Sequence, residues 1–249
     1  MRKVSIIGIG AGNPDYLTLQ AVAAIRDAEV FFVPDKGEEK AALKAVREEM
    51  LARHASPGHR QVVFAVPERD RTVPYAEGVA AWRAALQETY ARLIEIELGD
   101  SRRGAFLVWG DPPLYDGTIG ILAELRAAGL DCVVDAIPGI SAVQALCARH
   151  GIPLNRTGET VTITTARRVL AGEADGLTSF VVMLDSEGAW RRFASDDAEI
   201  FWGAYLGMGE EILVAGRIAE VADEIERVRA EARSRNGWVM DTYMVRRPQ

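Results

Sequence analysis

The sequence is poor in cysteine and histidine, the residues that most often form disulfides and metal sites. Its 249 residues include two cysteines, Cys132 and Cys147, and three histidines, His54, His59 and His150. A disulfide framework requires more cysteines, so we expect two buried thiols and a cytoplasmic protein. The histidines show no metal-ligand spacing with the cysteines, which predicts that the chain holds no metal.

The chain also lacks a long apolar run and an excess of positive charge. No run approaches the roughly 18 apolar residues that span a bilayer, which predicts a protein without membrane segments. The apolar stretch at Val4–Ile9 is short and ends in glycines, which favours a first β-strand over a signal peptide. The formal net charge of −7 argues against broad nucleic-acid binding, because that requires a basic face. A local basic pocket for an acidic small molecule remains compatible with this charge.

The first half of the chain alternates strand-like and helix-like patterns. Short apolar runs at Val4–Ile9, Val30–Val33, Arg60–Val66 and Ala105–Trp109 are separated by amphipathic segments. This alternation is typical of an α/β fold with a parallel sheet and helical crossovers. Ligands of such sheets bind beyond the carboxyl ends of the strands.

The second half has a different texture. After Gly151-Ile152-Pro153 the strand-like runs follow one another more densely, with a helical pattern at Ile218–Ala232 between the last two. We therefore expect a mixed sheet in this half. The predicted boundary falls near Leu114–Gly120, which gives an N-terminal α/β domain over residues 1–115 and a C-terminal α/β domain over 116–249.

A glycine-rich turn follows the first strand, where Gly8–Pro14 reads GIGAGNP. Glycine permits positive φ and the close approach of a ligand. A nicotinamide dinucleotide fold is one alternative, with Asp35 as the ribose-binding acid, but its fingerprint G-x-G-x-x-G opens directly into a helix. A P-loop is excluded because Gly-Lys-Ser/Thr is missing. A turn needed only for folding is the remaining alternative.

Three further blocks occur in order along the chain. Gly110-Asp111-Pro112 follows the strand that ends at Trp109, and Pro138–Ser141 reads PGIS before a helix that Ser141 is suited to cap. Gly151–Leu154 then reads GIPL. Each block alone is an ordinary turn signal, whereas four ordered blocks are far more specific.

Together these blocks resemble the tetrapyrrole methylase family over roughly the whole chain. The family opens with G-x-G-x-G-(D)-P-x-x-L-T, and Gly8–Thr18 reads GIGAGNPDYLT, with Asn13 in place of the usual Asp. The resemblance implies two α/β domains with the cofactor site in the cleft between them. It also implies S-adenosylmethionine as methyl donor, S-adenosylhomocysteine as its product, a tetrapyrrole substrate, and a homodimer.

Within this family the chain resembles members that methylate precorrin-5 at C-1 and release acetate. The segments Val33–Lys40 and Val66–Arg71, and the long helical pattern at Thr72–Leu98, suggest this subgroup. The implied product is precorrin-6A and the implied pathway is aerobic cobalamin synthesis. The residue pattern without the resemblance stops at a ligand-binding α/β protein.

The resemblance also implies the residues of the cofactor site. Leu184 and Ala204 have an alternative interpretation as plain core residues, and Tyr205-Leu206-Gly207 departs from the family's usual threonine-containing stretch. The expected set is Trp109, Gly110, Asp111, Leu114, Ser141, Ala142, Leu184, Ala204, Tyr205, Gly216 and Arg217.

Substrate contacts are expected from the glycine-rich turn and from basic side chains. Precorrins carry acetate and propionate groups, which arginine binds through paired charge-assisted hydrogen bonds. Each basic residue taken alone is better explained as a solvated surface charge, and Arg156 is the preferred exception because it follows the GIPL block. The expected set is Gly10, Ala11, Gly12, Lys36 and Arg156, with Arg69, Arg71, Arg167 and Arg168 as further candidates.

Asp35 and Tyr115 are the predicted catalytic residues. Methyl transfer is a displacement at carbon that requires alignment and exclusion of water rather than a covalent nucleophile. We expect Asp35 to handle a proton, which requires hydrogen-bond reach to the substrate or to one water. Tyr115 is expected to contact the macrocycle. The alternatives are a capping or salt-bridged role for Asp35 and simple packing for Tyr115.

Other functions remain open at this point. The chain could methylate another macrocycle position, a diphthamide precursor protein or ribosomal RNA, although the acidic net charge disfavours RNA. It could also be a non-catalytic tetrapyrrole carrier that keeps the fold. Turnover of the methyl donor separates the carrier from the enzymes, and product mass separates the substrates.

Overall fold

The computed structural model describes residues 1–35 and 41–248. The chain divides into two compact units. The first contains Met1–Gly10 and Pro14–Ile140, and the second contains Ala11–Asn13 and Ser141–Gln249.

The first unit is built on a parallel sheet with the strand order β3-β2-β4-β1-β5. All of its pairings are parallel, so the carboxyl ends of all these strands lie at one edge. This arrangement confirms the α/β class and the parallel sheet predicted from the sequence. The strands are β1 (Arg2–Gly8), β2 (Val30–Asp35), β3 (Arg60–Ala65), β4 (Arg103–Val108) and β5 (Cys132–Ile137).

Helices cover both faces of this sheet. Alternate strand residues point to opposite faces and therefore pack against different helices. Val4 and Ile6 belong to one apolar cluster, while Ile7 and Ile9 belong to another. The first cluster includes residues of the two later helices, and the second includes residues of the two earlier ones. The helices are α1 (Leu19–Asp27), α2 (Ala41–His54), α3 (Tyr75–Leu98) and α4 (Thr118–Ala127), with a 3₁₀ turn at Pro14–Tyr16.

The division between the units lies at Ile140–Ser141, later in the chain than the predicted boundary of 115/116. β5 pairs along its length with β1, which places it in the first sheet. Strand β5 therefore completes the first unit, although the sequence assigned it to the second domain. Pairing between segments this distant in the chain leaves no local signal, which is why the predicted boundary came too early.

The second unit contains a mixed sheet with the order β6-β7-β10-β8-β9. β6 and β7 pair in parallel, and every other pairing is antiparallel, as the denser strand pattern predicts. The strands are β6 (Thr162–Thr165), β7 (Ser179–Met183), β8 (Glu199–Ala204), β9 (Ile212–Arg217) and β10 (Asp241–Arg246). The helices are α5 (Ala142–His150), α6 (Ala166–Leu170) and α7 (Ile218–Asn236), with a 3₁₀ turn at Ala189–Phe193.

The core of the second unit is rich in aromatic side chains. Trp190, Trp202, Phe180 and Tyr243 are all fully buried there. Both cysteines of the chain are buried and unpaired, Cys132 in β5 and Cys147 in α5. Over the residues that the structure describes, none of the helices has the length and apolar character required to cross a bilayer.

Candidate active site

The turns after β1 and β4 are joined to each other by backbone hydrogen bonds. The N–H of Gly110 donates to the carbonyl of Gly10 at 2.8 Å, and the N–H of Gly10 donates back to the carbonyl of Gly110 at 3.2 Å. Both glycines have positive φ, +80° at Gly10 and +70° at Gly110, a conformation that other residues adopt at a cost. The two glycine turns of the sequence thus form one structure at the carboxyl edge of the first sheet.

A third block packs against this paired turn. Gly139 donates its N–H to Oδ1 of Asp111 at 3.1 Å. A Cβ on Gly139 would overlap the carbonyl oxygen of Gly110, and a Cβ on Gly8 would lie 2.6 Å from the N of Gly139. Glycine is required at both positions by backbone contact, so Gly8, Gly110 and Gly139 hold the strand ends at close range.

Trp109 and Leu114 flank the Gly110–Asp111 turn. Leu114 donates its N–H to the carbonyl of Asp111 at 3.0 Å, which closes a tight turn after β4. Trp109 is half-buried and lines a pocket of about 150 Å³ at the same edge. Asp35 ends β2 and is exposed, and its carbonyl accepts the N–H of Val66 at 3.3 Å. Tyr115 is 47% exposed with φ of 55°, a left-handed conformation that is costly for a bulky residue.

The pocket beside Trp109 contains a buried arginine that the sequence reasoning missed. Arg47 of α2 is 8% exposed and donates from Nε to the carbonyl of Leu107 at 3.2 Å. Burial lowers the pKa of this guanidinium, and the nearby Asp116 carboxylate opposes that shift. Its place in the sequence could have indicated its burial, because Arg47 lies on the same apolar face of α2 as Met50 and Leu51, which are also buried.

In the second unit, Leu184, Ala204 and Tyr205 lie at one edge of the sheet. β7 and β8 both run antiparallel to β10, and Met183 and Ala204 are paired with Thr242 and Asp241 at its start. Leu184 is 68% exposed with φ of 58°, whereas Ala204 is completely buried. The core alternative therefore describes Ala204, and Leu184 is an exposed apolar side chain on a left-handed backbone.

Tyr205 is buried and is held at both ends. Its N–H donates to the carbonyl of Met240 at 3.0 Å, and its hydroxyl donates to the carbonyl of Trp238. Its φ is 51°, and burial raises the pKa of its hydroxyl. Tyr205 is therefore a buried support for the strand end, and its carbonyl also accepts the N–H of Met208 at 2.9 Å.

Helix α5 begins with the predicted cap. Ser141 is buried, and its hydroxyl accepts the N–H of Val143 at 3.1 Å. Along the helix, His150 Nε2 lies 3.0 Å from the carbonyl oxygen of Trp202, and Leu146 contacts the position of Gly203. The C-terminus of the helix therefore lies beside Trp202, and its N-terminus lies toward the sheet edge where β8 ends. Ala142, the first helical residue, is half-buried.

Gly216 and Arg217 do not join this edge. They end β9, which is antiparallel to β8, and are paired with Ile200 and Glu199 at the start of β8. At about 3.3 Å per residue, the length of β8 separates them from Ala204. Arg217 instead forms a salt bridge with Asp197 at 3.0 Å. The predicted grouping fails here because the β8–β9 connection reverses the chain, and the register places Ile212 opposite Ala204.

The substrate-binding predictions are dispersed in the structure. Gly10, Ala11 and Gly12 are consecutive buried residues of the turn after β1, and Lys36 lies outside the described residues. Arg156 is half-buried, and its N–H donates to Glu159 at 2.9 Å. The remaining arginine candidates are mostly exposed surface residues. Arg69 lies 4.9 Å from the ring centroid of Tyr75, Arg168 forms a salt bridge with Glu173 at 2.6 Å, and Arg71 and Arg167 are exposed.

A buried polar network includes Asp185, the residue that follows Leu184. Asp185 accepts the N–H groups of residues 187–189 at 2.7–2.8 Å and the hydroxyl of Tyr243 at 2.8 Å. Asp241 accepts from Arg229 at 2.9 Å and from Trp202 at 3.1 Å. Burial raises the pKa of Asp241, and it raises that of Tyr243 well above its usual value. This network fixes the backbone that follows Leu184.

Metal chemistry finds no support in residues 1–35 and 41–248. No group of three or more His, Cys, Asp or Glu residues there is arranged to hold a metal ion. The absence of a metal remains a prediction for the whole chain.

Comparison with known proteins decides the family. The sequence profile of the tetrapyrrole (corrin/porphyrin) methylases matches residues 3–222. The chain belongs to the tetrapyrrole methylase family. This tetrapyrrole methylase is 48% identical over 250 residues to a precorrin-6A synthase (deacetylating) of Sinorhizobium sp., which covers 99% of the chain and 96% of the relative.

Solved structures agree with this assignment. The cobalamin-synthesis-related protein CobF of Corynebacterium diphtheriae aligns with this tetrapyrrole methylase at a TM-score of 0.86 and 37% identity, covering 100% of both chains. A uroporphyrin-III C-methyltransferase of Thermus thermophilus, complexed with S-adenosylhomocysteine, shares the fold at a TM-score of 0.59 and 18% identity, covering 98% of this chain and 96% of that one. The chain is thus an S-adenosylmethionine-dependent methyltransferase.

Proposed function

We propose that this tetrapyrrole methylase transfers a methyl group from S-adenosylmethionine to C-1 of precorrin-5 and releases acetate, giving precorrin-6A in aerobic cobalamin biosynthesis. The observation that carries the proposal is the 48% identity, over 99% of the chain, to a precorrin-6A synthase (deacetylating). By contrast, the identity to a cobalt-precorrin-2 C(20)-methyltransferase of Methanocaldococcus jannaschii is 24% over 74% of the chain and 72% of that relative.

The residues present in each unit fit S-adenosylmethionine. The N-terminus of α5, capped by Ser141, offers backbone N–H groups that suit the carboxylate of its amino-acid part. The exposed side chain of Leu184 offers apolar surface for the adenine. In the first unit the Trp109–Asp111 turn presents backbone groups at a strand end. When bound, the cofactor supplies a methyl group activated on a sulfonium.

The protein's own contribution is alignment. The Gly10–Gly110 pair, locked by Gly139, fixes the strand ends with little conformational freedom, and a fixed geometry lowers the entropic cost of bringing donor and acceptor together. Asp35 at the end of β2 is the proposed proton carrier, and Tyr115 the proposed contact to the macrocycle. The left-handed backbone of Tyr115 supports a functional role, since strain of this kind collects at such sites.

The proposed reaction is tested by mass spectrometry of the purified protein with precorrin-5 and methyl-labelled S-adenosylmethionine. A product that gains the labelled methyl and loses acetyl is expected, together with one equivalent of acetate. A methylated product that keeps the acetyl group would move the assignment to another ring position. Cofactor binding without any methylated tetrapyrrole would support a protein or RNA substrate, or a carrier.

The proposed role of Asp35 predicts a selective effect. Asp35→Ala is expected to lower kcat about 100-fold or more, as loss of a general acid or base does, while the Kd for S-adenosylmethionine stays within about twofold. Single-turnover kinetics and calorimetric titration measure the two quantities. Asp100→Ala, an exposed carboxylate in the loop before β4, is the control. Unchanged turnover in Asp35→Ala would remove this residue from the mechanism.

We further propose that the protein works as a cytoplasmic homodimer. The similarity to the tetrapyrrole methylases supports this, and the two unpaired, buried cysteines are compatible with a reducing compartment. Sedimentation equilibrium should give twice the mass of the chain, and a monomer at micromolar concentration would contradict the dimer.

A further inference from the structure

The pocket that contains Arg47 lies where β2, β3 and β4 end. Its volume is about 150 Å³, below the roughly 300 Å³ of sites that hold a whole drug-sized ligand. It therefore suits a substituent rather than a macrocycle. Its walls are largely apolar and include Phe32, Pro34, Trp82, Leu86, Phe106 and Trp109.

Arg47 brings a hydrogen-bond donor into these apolar surroundings. Its Nε and Nη1 donate to the carbonyls of Leu107 and Leu43 at 3.2 and 2.9 Å, which fixes the plane of the guanidinium. Nη2 makes no hydrogen bond to the residues that the structure describes in full, 1–35 and 43–248. Arginine remains charged in proteins, so this nitrogen is a cationic donor held in a poorly solvated place.

Asp116 lies on the exposed side of the same pocket. Its Oδ1 accepts the N–H of Thr118 at 2.8 Å, which holds the carboxylate in place, and its charge acts on Arg47. Tyr90, the other titratable group of the lining, is buried and neutral, with its pKa raised by burial to about 12. The pocket thus contains one positive and one negative charge. A neutral polar group suits it better than a free carboxylate, which would face Asp116.

We infer that this pocket receives the acetyl substituent of the tetrapyrrole and that Arg47 and Asp116 remove it. The inference rests on the proposed function and adds a second catalytic duty to the first unit. The acetyl oxygen accepts a hydrogen bond from Nη2 of Arg47, while the methyl group contacts the aromatic walls. Asp116 binds a water on the exposed side and takes its proton as the water attacks.

The bonds and charges of this step balance. The water oxygen bonds to the acetyl carbon, and the oxyanion that forms is stabilised by the Arg47 guanidinium. The bond between that carbon and the macrocycle then breaks, and its electron pair returns to the macrocycle and forms the bond to the incoming methyl group. The S–CH₃ electron pair stays on sulfur. The two protons of water leave through Asp116 and by ionisation of acetic acid, so no oxidant or reductant is consumed.

Asp116→Asn tests the base, because asparagine keeps the hydrogen bond to Thr118 and loses proton affinity. Acetate release and methylated product are measured for the full chain with precorrin-5, S-adenosylmethionine and ¹⁸O-labelled water. We expect ¹⁸O in the acetate of the wild type and a loss of release in Asp116→Asn of about 100-fold or more. The Kd for S-adenosylmethionine should not change. Asp70→Asn is a matched control outside the pocket, since Asp70 binds the N–H of Thr72 at 2.7 Å in the same way.

Arg47→Lys tests the oxyanion donor, with Arg53→Lys on the exposed part of the same helix as control. A kcat loss of about 100-fold or more at nearly constant KM is expected. A raised KM with normal kcat would make Arg47 an anchor for a substrate carboxylate and overturn the inference. Normal acetate release in Asp116→Asn would also overturn it, and it decides the matter if Arg47→Lys fails to fold. A wild type that releases no acetate would instead overturn the proposed function.

Discussion

The two units fix their sheet edges by different means. In the first, glycine backbone atoms touch one another, as Gly139 does with Gly8 and Gly110. In the second unit, hydrogen-bonded side chains fix the edge, as in the network of Asp185, Asp241 and Arg229 next to Leu184. A backbone contact leaves no room for one more atom, whereas a side-chain network depends on every partner being present. We therefore expect substitutions to destabilise the two units to different extents and for different reasons.

The largest effect is expected from Gly139→Ala. The added methyl would overlap the backbone oxygen of Gly110, which cannot rotate away, so we expect a destabilisation of about 4 kcal/mol or more. Urea denaturation followed by circular dichroism measures it.

Gly203→Ala in β8 is the matched variant from the second unit. Its added methyl would meet Leu206, Leu146 and Leu213, but through the ends of flexible side chains. A loss of about 1–3 kcal/mol is expected for this overpacking. Equal losses in the two glycine variants would break the comparison between a backbone-locked and a side-chain-locked unit.

The next effect concerns the buried ion pair of the second unit. Arg229→Met leaves Asp241 buried with its N–H contact from Trp202 and without its cation, and such a change costs about 3–5 kcal/mol. Arg227→Met on the same helix removes an exposed pair with Glu231 and should cost under about 1 kcal/mol. Thermal unfolding at neutral pH gives both values. A loss in Arg229→Met no greater than in Arg227→Met would show that the network is dispensable.

A further comparison separates two buried tyrosines. Tyr243→Phe removes a 2.8 Å hydrogen bond to the Asp185 carboxylate and should cost about 1.5–3 kcal/mol at neutral pH. Tyr90→Phe in the first unit should cost about 1 kcal/mol or less, since it removes no bond to a charged group. Chemical denaturation of both variants at pH 7 makes the comparison, and a larger loss in Tyr90→Phe would contradict it.

Tyr90 also predicts an alkaline signature. Burial raises its pKa from 10 to about 12, so the folded protein keeps a proton that the unfolded chain releases near pH 10. The stability that this provides is complete below pH 10 and is lost as the pH rises from 10 to 12. In Tyr90→Phe the decline over this range should be shallower than in the wild type. Stability curves for both proteins at pH 9, 10 and 11 provide the test.

The sequence predicted the elements of the fold better than their grouping. Apolar periodicity indicated a helix at Ile218–Ala232 and another within Thr72–Leu98, and the structure has helices at Ile218–Asn236 and Tyr75–Leu98. These patterns are local, so they can be read directly. The placement of β5 beside β1 depends on contacts between residues far apart in the chain, which no local pattern records.

The same distinction explains the candidate site. The glycine blocks could be predicted to meet, because strand ends of a parallel sheet share an edge. Gly216 and Arg217 were grouped wrongly with Leu184 because the direction of β9 depends on the antiparallel register of the second sheet. Arg47 was missed because a single arginine on an apolar helix face gives no sign of the carbonyl groups that will receive it.

The two cysteines allow the opening of each unit to be measured separately. Cys132 lies in β5 of the first unit and Cys147 in α5 of the second, and burial raises the pKa of both thiols. An alkylating reagent attacks an exposed thiolate, so each cysteine reacts only when its own unit opens. Timed alkylation followed by peptide mass spectrometry therefore reports how often each half of the enzyme opens, in a single sample and without introducing new cysteines.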